Sequence, residues 1–168
     1  MIFACRGKKP VIDSSCFVAP DAVIVGDVEI GAHSSVWFGG VIRGDIYPIK
    51  IGSYTNIQDK MIIHVTKDKY STTIGDYVTG GHGAIVHGCT ISDNCIIGMG
   101  SIVLDDTVIG KNCIVAAGSV VKQHERIPDG VMVAGNPAVI KRDLTEREIA
   151  NIKTLAINYS EYIKGYEL

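Results

Sequence analysis

ISDNCI-IGMGSI-VLDDTV-IGKNCI-VAAGSV, residues 91–120, divides into six-residue units that open on Ile91, Ile97, Val103, Ile109 and Val115, with Val121 opening the next. The fifth position of each unit is small: Cys95, Ser101, Thr107, Cys113 and Ser119. A period of six matches neither the repeat of an amphipathic helix nor the alternation of a half-buried strand. It is the signature of a parallel β-helix, in which each unit is one short strand and one corner. Upstream the beat runs through Ile12, Val18, Ile24, Ile30, Val36 and Ile42. It resumes at Ile51, Ile57 and Ile63, and again at Ile74, Gly80 and Val86. Three units per turn predict an all-β solenoid of about six triangular coils between Ile12 and Arg126.

The interruptions are few. Extra residues fall between Ile42 and Ile51 and between Ile63 and Ile74, the latter in the polar stretch Thr66 to Thr73, while Val86 to Ile91 is one residue short. In repeat proteins such insertions gather on the working face. After the repeat, turn signals at Pro128-Asp129-Gly130 and Gly135-Asn136-Pro137 mark an irregular connection. Thr145 and Glu148 then form a capping box for a C-terminal α-helix. Its apolar stripe, Ile149, Ile152, Ala156, Tyr159 and Ile163, suits packing on the prism wall or on a neighbouring subunit. The expected organisation is a single domain, with the repeat and its flanks over 1–142 and the helix over 143–168.

Composition narrows the class. Hydrophobic residues make up 46% of the chain and aromatics only 7%, so the core is built from Val, Ile and Ala, as a narrow solenoid interior requires. A net charge of −2 without a basic block gives no footprint for nucleic acid. No apolar run approaches a membrane span, and Met1 to Pro10 is too short and polar for a signal peptide. Cys16, Cys95 and Cys113 occupy the small corner slot and read as buried, reduced thiols, which points to the cytoplasm.

Of five histidines, three lie within 24 residues: His64, His82 and His87. The repeat stacks His64 and His87 on one face, about one strand spacing of 4.8 Å apart, within reach of one metal ion. His82 falls on a different face and is not an obvious third ligand from the same chain; a trimer setting one copy's His82 against another's His64 and His87 would complete a three-histidine site. Three neutral imidazoles and one open position are a catalytic zinc arrangement. Arg43 occupies the slot one coil below His64, with Asp45 two residues on. Asp59 lies under His82, beside Gln58. The two aspartates suit a role orienting imidazoles or pairing with Arg43, and Gln58 suits one orienting water or substrate.

Arg43-Gly44-Asp45, Asn56-Ile57-Gln58-Asp59, His64, and His82 through Val86-His87-Gly88 resemble the γ-class carbonic anhydrase family across nearly the whole chain. The resemblance implies a left-handed β-helix and a homotrimer with metal sites at subunit interfaces. His64 and His87 would come from one chain and His82 from its neighbour. The metal is zinc, with iron or cobalt accepted, and the reaction is the reversible hydration of CO2 to bicarbonate, a lyase activity. Arg43 and Asp45 match the family's intersubunit ion pair, and Gln58 matches the residue that hydrogen-bonds the metal's solvent ligand. Asn158-Tyr159 resembles shorter members in which a Tyr approaches the site.

Two departures stand out: Ile46 replaces a Glu of the best-known active members, and the short loop after His64 carries Lys67 and Asp68 but no Glu for proton transfer. Two other functions share these features. An acetyl-CoA-dependent hexapeptide acyltransferase shares the scaffold and Ala134-Gly135-Asn136-Pro137-Ala138. A non-catalytic binding module would keep the metal only to stabilise its trimer.

Overall fold

The structure, a computed structural model, describes residues 1–166. Its strands wind as a parallel β-solenoid of about seven turns, closed by one helix. The sequence expectation of about six turns omits one. Ile2–Phe3 pairs with Ile24 and Val25 ahead of the first hexad, and Val131–Gly135 completes a turn after the last.

The hexad starts point inward. Ile24, Ile42, Ile63, Val86, Val103 and Val121 are paired in register from turn to turn, and all lie sealed from solvent. Each such side chain contributes about 1.5–3 kcal/mol through burial. The small fifth position has a polar purpose as well as a steric one. Ser34 Oγ donates to Gly52 O at 2.8 Å, Thr55 Oγ1 to Gly75 O at 2.7 Å, and the Cys95 and Cys113 thiols to Gly110 O and Pro128 O at 3.1 Å. A hydroxyl or thiol there satisfies a carbonyl of the next turn, so the corner is buried without orphaning it. All five cysteines are free, and burial pushes the Cys89 thiol up to about 12.

Gly80 is the one hexad start without a side chain, and the gap is filled. A Cβ at Gly80 would overlap the thioether of Met61, which occupies the space that Ile or Val fills elsewhere. Met adapts to such irregular gaps.

The prism has three walls of different chemistry. The first carries the outward side chains Val23, Val41, Ile62, Ile85, Ile102 and Val120, followed by Arg43, His64 and His87 toward its far edge. The second presents Glu29, Lys50, Thr73, Thr90 and Arg126. The third is covered by helix α1 (Glu146–Tyr162), which buries Ile152 and Ala156. The capping box at Thr145 and Glu148 is complete, and Arg142 fixes Glu148 from the preceding strand Ala138–Asp143. That strand, antiparallel to Val131–Gly135, replaces the irregular connection expected there. Among the described residues no helix is long and apolar enough to cross a membrane.

Candidate metal centre

His64 and His87 are direct partners in the parallel ladder, as the repeat requires. Their rings meet edge to face, with His64 Nδ1 3.1 Å from His87 Nε2. His64 Nε2 lies 3.1 Å from Asp45 Oδ1, and Arg43 Nη1 donates to Asp45 Oδ2 at 2.6 Å. Arg43 and Asp45 thus pair within one chain, beside the first histidine. At the other end His87 Nδ1 lies 2.8 Å from Asp105 Oδ1.

The run Asp45–His64–His87–Asp105 contains three contacts, each needing one hydrogen, while two neutral imidazoles supply two. A third proton on the pair would complete it. Burial, however, lowers the His64 pKa more than the Asp45 hydrogen bond raises it. For Asp45 burial acts in the raising direction, but hydrogen bonds from Arg43 and His64 hold the carboxyl below its usual range. An ionised carboxylate beside two half-buried imidazoles in contact, with burial disfavouring a proton on His64, is a donor set that suits a cation. The residues present therefore fit a metal.

His82 stands apart, at the opposite edge of the first wall, where its Nδ1 pairs with Asp59 Oδ2 at 2.7 Å. Among the described residues that contact leaves Nε2 without a hydrogen-bond partner, on a half-exposed ring. Among the described residues no three His, Cys, Asp or Glu side chains converge within the chain. Gln58 is nearly inaccessible, and its Nε2 donates to Asn56 Oδ1 at 3.1 Å. Asn56 Nδ2 in turn donates to Thr79 Oγ1 at 3.0 Å, which fixes the Gln58 amide from behind. Gln58, Thr79, His82, Met99 and Tyr159 border a cleft of about 310 Å³. Tyr159 packs edge-on against Trp37 at 5.6 Å, and burial, followed by the Asp59 charge, raises its pKa. The structure thus brings the sequence candidates together as two groups. Arg43, Asp45, His64 and His87 form one, and Gln58, Asp59, His82 and Tyr159 the other.

Sequence reasoning missed Asp105 and Thr79, and gave no site role to Thr66 or to Asn56. Asp105 follows His87 by eighteen residues, three hexads, and that offset was the available signal. The missing residue between Val86 and Ile91 makes Leu104 the ladder neighbour of His87 and moves Asp105 to the corner.

Residues 88–123 match the family model described as bacterial transferase hexapeptide (six repeats). The chain is 51% identical over 160 residues to a probable carbonic anhydrase of Methanocaldococcus jannaschii, covering 94% of this chain and all of the relative. It is 48% identical to the mitochondrial γ carbonic anhydrase 1 of Arabidopsis thaliana, over 95% of this chain but 60% of the plant protein. Thus it spans about 60% of the length of that plant relative. A hexapeptide transferase family protein of Anaplasma phagocytophilum superposes with a TM-score of 0.95 at 40% identity, covering 99% of this chain and 98% of that one.

Proposed function

Since the chain belongs to the γ-class carbonic anhydrases, we propose that it hydrates CO2 reversibly at a metal shared between copies in a homotrimer. His64 and His87 come from one copy and His82 from the next. The observation that carries this reading is the split donor set: two imidazoles in contact at one edge of an uncovered apolar wall, and a third, free at Nε2, at the opposite edge. Packing of that wall against a second copy buries Val41, Ile62, Ile85 and Ile102 and brings opposite edges together.

All three ligands are nitrogen donors, a set that suits zinc and also accepts iron or cobalt. A metal held by these three residues would supply Lewis acidity that makes water at the site acidic near neutral pH. The chain's own residues do the rest. Asp59 holds the His82 ring, Asn56 and Thr79 hold the Gln58 amide, and Gln58 orients the reacting water. Arg43 keeps Asp45 ionised beside His64. The cleft bordered by Tyr159 and Met99 offers CO2 an approach with few polar groups. In the loop after His64, Lys67, Asp68 and Lys69 are exposed, and the Thr66 hydroxyl bonds inward to Asp105. The free buried thiols suit a reducing compartment such as the cytoplasm.

Metal analysis and stopped-flow CO2 hydration on one preparation test this reading. Near-stoichiometric metal with hydration that disappears in His87→Ala supports it, and a purified oligomer without metal overturns it. The likeness to a hexapeptide transferase family protein favours acyl transfer as the second reading. A thermal shift with millimolar acetyl-CoA would support that alternative.

A further inference from the structure

Asp105 is joined by side-chain hydrogen bonds to groups on three other turns. Its Oδ1 accepts from His87 Nδ1 at 2.8 Å and from Thr66 Oγ1 at 2.9 Å, and its Oδ2 accepts from Gln123 Nε2 at 3.4 Å. Thr66 follows His64 by two residues, just past the end of the strand Ile62–His64, so one carboxylate ties both segments that carry the paired imidazoles. The backbone is shaped to admit it. Gly88 has a φ of +57°, and a Cβ there would overlap Asp105 Oδ1, so only glycine lets the carboxylate come this close. A second tie runs beside the first: Thr72 Oγ1 donates to His64 O at 2.6 Å and accepts from Gly88 N at 2.9 Å.

We infer that Asp105 is the positioning residue for His87. It holds the proton on Nδ1, which keeps the Nε2 lone pair available to a metal, and through Thr66 it fixes the spacing of the His87 and His64 strands. The inference rests on the metal-site reading above. Carboxylates behind metal-bound histidines act in this way, and their loss weakens metal binding by about 10–100-fold. A purely structural corner residue would leave both the tautomer and the affinity unchanged in the folded protein.

The test uses Asp105→Ala, Thr66→Val and His87→Ala, each stripped of metal and checked by thermal unfolding. Cobalt(II) is titrated against a chromophoric chelator, and histidine nitrogen NMR of the metal-free protein reports which His87 nitrogen carries the proton. Asp105→Ala is expected to bind cobalt about 10–100-fold more weakly and to move the His87 proton toward Nε2. Thr66→Val, which removes one hydrogen bond to the carboxylate, is expected to weaken binding about fivefold. Wild-type affinity and tautomer in Asp105→Ala, with binding lost in His87→Ala, overturn the role of Asp105 alone. Wild-type binding in His87→Ala overturns the metal site itself. If Asp105→Ala does not fold, Thr66→Val decides, and unchanged affinity there overturns the inference.

Discussion

The first and third walls of the prism are both built from short parallel strands, yet they end differently. The third wall presents Ile96 and Ile114 and is covered by its own helix, which buries Ile152 and Ala156 against it. The first presents Val41, Ile62, Ile85 and Ile102, and among the described residues nothing covers it; Ile62 remains 42% exposed. A row of aliphatic side chains on a rigid flat surface is a standing invitation to association. The difference teaches that one wall is completed within the monomer, whereas the other leaves its aliphatic row open, as the proposed packing against a second copy requires. The candidate ligands lie at the edges of that second kind of wall.

The comparison can be broken from either side. The largest effect is expected at the edge of the bare wall: His82→Asn should reduce bound metal to background while the chain stays folded, as measured by elemental analysis. Retained metal would mean that the two edges never meet. Next, Ile62→Lys should convert the oligomer to monomer in analytical ultracentrifugation and lose metal with it. An intact oligomer would show that the bare wall is not the interface.

On the covered wall the response should be one of stability rather than assembly. Ile152→Ala opens a cavity under the helix and should cost about 2–5 kcal/mol in denaturant unfolding, with metal content retained. The smallest effect is at the helix start. Hydrogen bonds from Arg142, then from Thr145, depress the Glu148 carboxyl from 4.5 to about 2. A depressed carboxyl stabilises the fold above its unfolded pKa and loses that contribution as pH falls. Wild type should therefore lose helix stability between about pH 4.5 and 2, and Glu148→Gln should show a flatter profile across that window.

The legibility of these walls in the sequence follows from what each depends on. The hexad fixes inward and outward positions through backbone pairing alone, so the His64–His87 contact and the Asp59–His82 pair were readable from spacing. Features outside the beat were not. Ile2–Phe3 joins the solenoid through a tight turn at Cys5 to Lys8 rather than through a repeat, and Ala138–Asp143 reverses direction after the Gly135-Asn136-Pro137 turn. Asp105 meets His87 from the corner rather than from the ladder, a side-chain contact that the register alone does not specify. The Asn56–Gln58 contact joins side chains two residues apart, from the strand Asn56–Ile57 to the residue just past its end, and its support from Thr79 depends on rotamers that spacing does not specify.

Met61 and Gly80 carry one more consequence. A solenoid whose turns are nearly interchangeable has little to stop the chain from threading one turn out of step while it folds. The bulky thioether and the vacant slot act as key and keyway, since the neighbouring slots hold Ile57 and Ile97. The keyed turns are those that lead into His64 and His87. Misthreading is thus penalised at the place where it would separate the paired imidazoles.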